Sequence, residues 1–571
     1  MKVKSQDMRL SNIFGTAIAL LAFAASTEVV AQEHKHVEVT TTYTPDLAIA
    51  TKLVAPASVA EDSNFMPDIE YTIDPDIWQI ELDDHYFDPA RASYWDYNRP
   101  VRTYMRAGFG VPVRSDFKLR YTTQNARVGY FSAGFVHDGN FSAREMVDGG
   151  VVVPRTVGES FDMRNGISVV AGTFIGSKML EVDTKVNLDA YNRYAESSAD
   201  VARLNFQDLG LKLSFGDSFS NLNRLNFGVD VYGGYWSHNA PAVADVAPAL
   251  SQFNAGGALR FARHFGENTY GLKLGGDMYK SLFSTYNDLR IGIEGEYSRD
   301  FGFVALESSL GYMFDKVQGA AKAQHYLLPR AKALFNVGLS YLTPYIELNT
   351  VVLQNSAADL YRMNPYLDYN EAQDVMLTMP NSCNFDMSVG IVGSALKSHL
   401  TYRLYAGAKN MSDCVVWYIN NNLNFGVATA NNTRMFVGAE VGYNPIGGLM
   451  LTAKVDAHKD NTADTKYVID TPKFRGEFMA EYTLKRMRFY CSANMLGARE
   501  WSGELDVDGK SIVDSFKSES TIDLRAGMSF RATSKWRVFV DGYNLLNAKI
   551  YDYAYYYRNG MGVVAGVEID F

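Results

Sequence analysis

The last ten residues, GVVAGVEIDF at positions 562–571, alternate between two kinds of side chain. Every second position is apolar, and this face consists of Val563, Ala565, Val567, Ile569 and Phe571. The opposite face carries both acidic residues, Glu568 and Asp570. Alternation with a period of two is the pattern of a β-strand, in which successive side chains point to opposite faces. The segment is therefore predicted to be a strand with one apolar and one polar face.

The same alternation recurs upstream from about Val101, in segments of roughly ten residues separated by turns or loops. Ile291 and Ile293, for example, fall on one face, and Glu294 and Glu296 on the other. Strands of soluble β-sandwiches are about half as long. Because about ten residues of tilted strand cross ~30 Å of hydrocarbon, we expect the apolar faces to meet lipid and the charged faces to line a lumen.

We count about 22 such segments, in a range of about 18 to 24, and bacterial single-chain barrels usually have an even number. The predicted fold class is all-β: a transmembrane antiparallel β-barrel over residues 101–571 in the outer membrane. Long connections at residues 361–380 and 459–472 are expected to be extracellular loops. Short links at 113–115 and 533–535 are expected to be periplasmic turns.

The N-terminus has the layout of a secretory signal peptide. Lys2, Lys4 and Arg9 precede an apolar run at residues 13–25. That run is shorter than the ~20 residues that a membrane-spanning helix needs. Small residues follow it, so we expect cleavage between Ala31 and Gln32, with residues 1–31 as the signal peptide.

Residues 32–100 form a predicted extended segment ahead of the barrel. Prolines recur through it at positions 45, 56, 67, 75, 89 and 100, a spacing that disfavours a long helix or a central strand. The segment is also rich in aromatic residues, including Trp78 and Trp95, which is unusual for a freely solvated linker. Our hypothesis is that it lies within the lumen or docks at the periplasmic rim.

Residues 536–552, WRVFVDGYNLLNAKIYD, resemble the penultimate region of TonB-dependent receptor barrels. Such barrels carry an aromatic and valine strand, then an N-L-x-N-like turn followed by a basic residue and a tyrosine, here Lys549 and Tyr551. The terminal strand ending at Phe571 resembles the signal that the barrel-assembly machinery recognises. The resemblance implies an outer-membrane barrel that takes up a solute, with that machinery as a partner during biogenesis.

One departure from the receptor pattern concerns the plug, a domain of well over a hundred residues that precedes the barrel in those receptors. Residues 32–100 are too few to form such a domain. The resemblance therefore covers the barrel only, and the chain is predicted to be a plugless relative of these receptors.

Several other functions are disfavoured by composition. A formal net charge of −10 argues against nucleic-acid binding, which needs a basic face. The three cysteines, Cys383, Cys414 and Cys491, are far apart and show no metal-binding spacing. The nine histidines show no motif that pairs one with a nucleophile or an acid, so we predict no enzyme, no cofactor and no metal site.

Two groups of residues could contact a solute. Arg102, Arg106, Lys118 and Arg120 fall on the predicted lumen face and could favour anions, although any water-filled barrel has a charged wall. Tyrosines at positions 361, 366, 369, 551, 553, 555, 556 and 557 could stack on sugar rings at an extracellular mouth. Aromatic girdles at the membrane interfaces explain most barrel tyrosines, and we prefer that interpretation.

Two functional hypotheses follow. The first is passage or uptake of a solute through the barrel. The second is a non-transporting role as a subunit or scaffold of an outer-membrane complex, with surface lipoproteins, a periplasmic partner, or export or assembly machinery. Both require contact with outer-membrane lipid.

Overall fold

The structure is a computed structural model, and it describes residues 102–125, 128–142, 145–148, 151–154, 161–192, 203–239, 250–282, 287–317, 322–339, 341–368, 379–420, 424–463, 467–505 and 508–571. The predicted signal peptide, its cleavage site between Ala31 and Gln32, and the segment 32–100 lie outside the described residues. Their boundaries with the barrel remain predictions.

Within these described ranges, 22 antiparallel strands form a single closed sheet. In chain order they are β1 Thr103–Val111, β2 Arg114–Asn125, β3 Gly129–Phe141, β4 Phe161–Ile175, β5 Lys178–Asn192, β6 Arg203–Gly216, β7 Asn226–His238, β8 Leu250–Phe265, β9 Asn268–Ser281, β10 Asn287–Asp300, β11 Val304–Val317, β12 Gln324–Phe335, β13 Thr343–Leu353, β14 Ser382–Ala395, β15 Leu400–Ile419, β16 Phe425–Tyr443, β17 Leu449–Ala463, β18 Phe474–Leu484, β19 Met487–Leu496, β20 Thr521–Arg531, β21 Trp536–Tyr543 and β22 Gly562–Asp570. The barrel closes where β1 pairs with β22, with Arg106 opposite Glu568. The predicted all-β barrel and its strand number are confirmed.

A few short elements lie in the connections. The helix α1, Ala357–Met363, follows β13. Two small hairpins pair Glu145–Asp148 with Val151–Pro154, and Tyr551–Tyr553 with Tyr556–Tyr557. Two more short strands, Glu500–Gly503 and Phe516–Lys517, pair with each other, and the first also pairs with the end of β15. No helix among the described residues is long and apolar enough to cross a membrane.

The alternating sequence sorts side chains between the outside of the barrel and its lumen. Residues directly opposite each other across two antiparallel strands point to the same face of the sheet. The strand pairs therefore show, for every strand, which side chains point outward and which point into the lumen. Leu211, for example, is 47% exposed on the outside, whereas the adjacent Lys212 shares the lumen face with Asp230. Apolar outward faces contact lipid, because hydrocarbon offers no partner for a charge.

The two ends of the barrel differ in their connections. Asp570 at the end of β22 pairs with Tyr104 at the start of β1, so both termini of the barrel lie at one end. Short turns join strands at this end, including the tight turns at Gly176 and Gly266, which adopt the positive φ values of 63° and 64° that glycine tolerates. Long connections join strands at the other end. In bacterial barrels the short turns are periplasmic and the long loops extracellular.

One predicted turn lies at the wrong end. The short link predicted at residues 113–115 to be a periplasmic turn corresponds to residues 112–113, between β1 and β2. Strands alternate in direction, however, and β1 starts at the end that holds both termini, so its first link lies among the long loops. Consistent with this position, the backbone N–H of Phe141, at the loop end of β3, donates to the Val113 carbonyl over 2.8 Å. The 533–535 link, between β20 and β21, does lie at the short-turn end.

The long loops pack together and form a cap. We define the cap as the loop residues 354–368, 467–473, 497–505 and 544–561, together with the loop-end residues 412–420 and 424–430 at the end of β15 and the start of β16. It has an apolar core of its own, whose fully buried members include Leu360, Tyr361, Ile419, Phe425, Trp501 and Tyr556. Full burial of one such side chain stabilises by roughly 1.5–3 kcal/mol, so these loops are held in a defined structure.

Candidate ligand-binding cavity at the loop end

A cavity of about 980 Å³ lies between the lumen face of the wall and the cap. Wall strands β2 to β7, β20 and β21 contribute one part of its lining, chiefly through aspartates and arginines. The cap contributes the rest, including Tyr366 beyond α1 and Tyr553 between β21 and β22. The cavity is thus built jointly by the rigid barrel and by its loops, and within the described residues it contains both charged and aromatic groups.

The helix α1 is tied to the wall on two sides. Arg362 in its last turn donates from Nη2 and Nε to Asp208 Oδ2 of β6, over 2.9 and 3.2 Å. At the start of the helix, Gln252 Nε2 of β8 donates to Ser356 Oγ over 3.0 Å. An ion pair as exposed as Arg362–Asp208 contributes only about 0.2–1 kcal/mol, so the two attachments act together. Asp208 and Gln252 therefore fix where the loop crosses the lumen.

Arg499 joins three loops of the cap. Its guanidinium donates to Asp470, through the carboxylate over 2.9 Å and through the backbone carbonyl over 2.7 Å. It also donates to the carbonyls of Tyr551 and Asp552, over 3.1 and 2.8 Å. The same group lies 4.5 Å from the ring centroid of Trp501. Five fixed donors let arginine bind several loops at once.

Stacked tyrosines line the cap side of the cavity. Tyr366 and Tyr556 are stacked with ring centroids 3.6 Å apart and an interplanar angle of 19°. Tyr553 meets Tyr366 edge-on at 5.4 Å and donates from its hydroxyl to the Met363 carbonyl over 2.8 Å. The preference for an interface girdle was wrong for these tyrosines. They lie in the cap because their rings pack in its apolar core. Tyr369 falls outside the described residues.

The charged groups of the cavity are almost balanced. Its lining contains six arginines and seven aspartates, and each arginine has an aspartate partner. The pairs, with their N–O distances, are Arg114–Asp138 at 3.2 Å, Arg164–Asp162 at 3.4 Å, Arg362–Asp208 at 2.9 Å, Arg499–Asp470 at 2.9 Å, Arg525–Asp523 at 2.6 Å and Arg558–Asp552 at 2.7 Å. The cavity therefore offers both donors and acceptors with little net charge.

Two loop residues that line the cavity have shifted pKa values. Burial, with the nearby charge of Asp552, raises the pKa of Tyr553 to about 12. The hydrogen bond to Asp552, together with its charge, outweighs desolvation and raises the pKa of Arg558. At neutral pH the cavity thus holds a neutral phenol beside a fixed guanidinium–carboxylate pair.

The predicted lumen-facing basic residues lie outside this cavity. Arg106 is bound by three carboxylates, Asp541, Glu568 and Asp116, at 2.6, 2.8 and 2.9 Å, and lies 3.6 Å from the centroid of the Phe539 ring. Cross-strand pairing places Lys118 and Arg120 on the same lumen face, and Arg102 at the short-turn end. Arg102, Lys118 and Arg120 are exposed. Arg106 thus belongs to the closure seam between β1 and β22.

The residues of the predicted assembly signal lie in β22, and Phe571 follows directly after it. Val563 and Phe571 are exposed on the outside, whereas Ile569 is only 4% exposed. Ile569 is opposite both Met105 and Trp536, whose side chains share its face. Ala565 and Val567 share this outward face.

Sequence patterns missed the charged residues that build the cavity. They did single out five tyrosines of its lining, at positions 361, 366, 553, 556 and 557. Asp208, Arg362 and Arg499 come from a wall strand, a helix and a loop that are far apart in the chain, and no motif connects them. Among the described residues, no group of three or more histidine, cysteine or acidic side chains is arranged to hold a metal ion. The cysteines form no disulfide.

Solved structures share the fold of the barrel. The copper transporter OprC is 13% identical, with 82% of this chain and 81% of that chain covered and a TM-score of 0.61. The FrpB iron transporter from Neisseria meningitidis, in its apoprotein form, is 11% identical over 83% and 81%, with a TM-score of 0.63. The ferric-catecholate import receptor Fiu from E. coli K12 is 9% identical over 83% and 82%, with a TM-score of 0.60. The sequence matches no protein-family model and no curated protein.

At these identities the likeness establishes the fold. The chain is an outer-membrane β-barrel with the fold of TonB-dependent receptors, as its C-terminal sequence predicted. Its outward surface contacts lipid. OprC and FrpB are transporters, and Fiu is an import receptor. The predictions of a signal peptide and of a missing plug concern residues outside the described part.

Proposed function

We propose that this protein takes up a solute across the outer membrane and that the cavity is where the solute first binds. The observation that carries the proposal is the shared lining: rigid wall strands and loops from the extracellular end contribute to one cavity. A solute bound there contacts both parts, so movement of the cap can be coupled to its passage. The similar structures, which include a copper transporter and an iron transporter, support the same role.

The cap is the proposed gate. Its tether to the wall runs through Arg362 and Asp208, whose side chains are 48% and 32% exposed. A tether of this exposure is weaker than a fully buried ion pair and can be broken without unfolding the barrel. The short helix α1 would move with Arg362.

Two partners belong to this proposal. The barrel-assembly machinery would bind the terminal strand during biogenesis, since β22 exposes Val563, and Phe571 is exposed directly after it. A periplasmic partner would meet the short-turn end, where energy for uptake would be delivered.

The test compares the wild-type protein with Arg362→Gln in liposomes and planar bilayers. We expect the variant to show higher conductance and faster entry of a small neutral tracer such as arabinose, because the cap is released. Arg120→Gln, which changes an exposed lumen arginine outside the cavity, should behave as wild type.

A scaffold role predicts a different result. In that case wild type and Arg362→Gln would both be impermeable, and mild detergent extraction would recover a stoichiometric partner such as a surface lipoprotein. That pair of findings would overturn the uptake proposal.

A further inference from the structure

We infer that the solute bound in the cavity is a neutral oligosaccharide. This inference rests on the proposed function for the passage of the solute, but it concerns binding alone. Three properties of the cavity support it: the balance of its charges, the hydrogen-bonding capacity left on those charges, and its aromatic surfaces.

The balanced charges exclude strongly charged ligands. A polyanion or a phosphate group requires arginines in excess, as in other anion sites. A metal cation requires several carboxylates free of arginine. Here every cavity arginine already has an aspartate partner, and the seventh aspartate, Asp189, lies near Arg164. A charged ligand would have to displace one of these partners, whereas a neutral ligand would not.

The paired groups still have unused hydrogen-bonding capacity. Arg164 is 70% exposed and its contact with Asp162 is long, at 3.4 Å. Arg558 and Asp552 are each more than 40% exposed. A guanidinium has five N–H donors and a carboxylate has about four acceptor sites, so a single ion pair leaves several of each. Hydroxyl groups on adjacent ring carbons of a sugar can donate to a carboxylate and accept from a guanidinium at the same time.

The aromatic surfaces match the faces of sugar rings. The face of an aromatic ring is electron-rich, and one face of a pyranose presents C–H bonds of partial positive charge. Tyr366, Tyr553 and Tyr557 are half-buried on the cap side of the cavity. The stack of Tyr366 on Tyr556 holds that ring in place before any ligand arrives. Rigid tyrosines bind at a low cost in conformational entropy.

The size of the cavity favours several sugar units over one. Small-molecule sites range over about 300–1,000 Å³, and this cavity is at the upper end. A peptide of similar size would also carry amide donors and acceptors. Its charged termini and side chains, however, would need unpaired counter-charges, which the described lining lacks. The oligosaccharide is therefore the ligand that the cavity fits best.

The experiment measures binding of the purified full-length protein to an array of neutral, acidic and basic oligosaccharides and short peptides. We expect neutral oligosaccharides to bind, and calorimetry on the strongest of them should show at least tenfold weaker binding for Arg164→Gln and for Tyr557→Leu. Arg120→Gln should bind as wild type. A difference in gel mobility between unheated and heated samples would confirm that each variant is folded.

Three results would overturn the inference: no array member binds, only charged sugars or peptides bind, or both cavity variants bind as wild type does. Its failure is distinct from failure of the uptake proposal. Permeability that depends on Arg362 without sugar binding would leave uptake standing. Sugar binding without permeability would leave the binding site standing and refute uptake.

Discussion

Replacement of Arg106 by methionine should weaken the closure of the barrel. Methionine keeps a similar apolar length but removes the guanidinium that binds Asp116, Asp541 and Glu568 at the seam between β1 and β22. Three carboxylates would then face one another on the lumen side, with Arg537 at 2.6 Å from Glu568. Like charges at this distance repel, and each loses a charge-assisted hydrogen bond.

The expected loss in the free energy of unfolding is about 3 kcal/mol. Breaking a fully buried ion pair costs about 3–5 kcal/mol, whereas an exposed pair contributes about 0.2–1 kcal/mol. The Arg106 side chain is 19% exposed and its partners 10–20%, so each interaction lies between these limits. Three of them at about 1 kcal/mol each give the estimate, which corresponds to roughly a hundredfold change in the folding equilibrium.

Arg106→Lys should recover only part of this loss, because a lysine ammonium cannot reach three carboxylates with the geometry of a planar guanidinium. The assay is guanidinium-chloride unfolding of the protein in lipid vesicles, followed by the heat-sensitive band shift in gels. The matched control is Arg120→Met, an exposed arginine on the same lumen face, which should lose less than about 0.5 kcal/mol. If the two methionine variants unfold at the same denaturant concentration, the seam does not stabilise the barrel as argued.

Four further outcomes are expected. Leu259→Arg on the lipid face should destabilise the barrel by about 2–4 kcal/mol, whereas Ala258→Arg, which points into the lumen, should be tolerated; equal effects would contradict the assigned faces. Arg499→Met should increase protease cleavage within 544–561 without lowering barrel stability, and an unchanged digest would count against Arg499 as the link between loops. Burial alone would raise the pKa of Asp217, but the hydrogen bonds from Lys178 and the Phe227 N–H, with the charges of Lys178 and Arg224, outweigh burial and lower this pKa. In equilibrium unfolding, the extra stability of the wild type over Asp217→Asn should therefore be complete above the unfolded-state pKa of about 3.9 and be lost as the pH falls through the lower folded-state pKa. A stability difference that persists in acid would refute the pairing. Phe571→Ala should reduce the amount of assembled barrel in the outer membrane while leaving the stability of the assembled fraction unchanged.

The sequence already predicts most of the barrel wall because alternation is a local property. Leu211 and Lys212 point to opposite faces whatever strands lie beside them. The number of such segments predicts the number of strands, and the polarity of each face predicts which side meets lipid. The end of the barrel at which a link lies depends on the direction of the strands that it joins and not on the link's own sequence. The shortness of the link at residues 112–113 predicts the periplasmic end, whereas the direction of β1 places the link among the long loops.

The cavity could not be predicted in the same way. Asp208 and Arg362 are 154 residues apart, and Arg499 binds partners from two other loops, so no pattern along the chain records these contacts. The loop sequences contain the same tyrosines whether their rings form a girdle at the membrane interface or the core of a cap. An outer-membrane barrel with an apolar outside and a charged lumen can be predicted from the amino-acid sequence alone, because strand periodicity acts residue by residue. That the loops form a cap, and that Arg362 of the cap pairs with Asp208 of the wall, follows from the tertiary structure, because those contacts depend on which loops meet when the barrel closes.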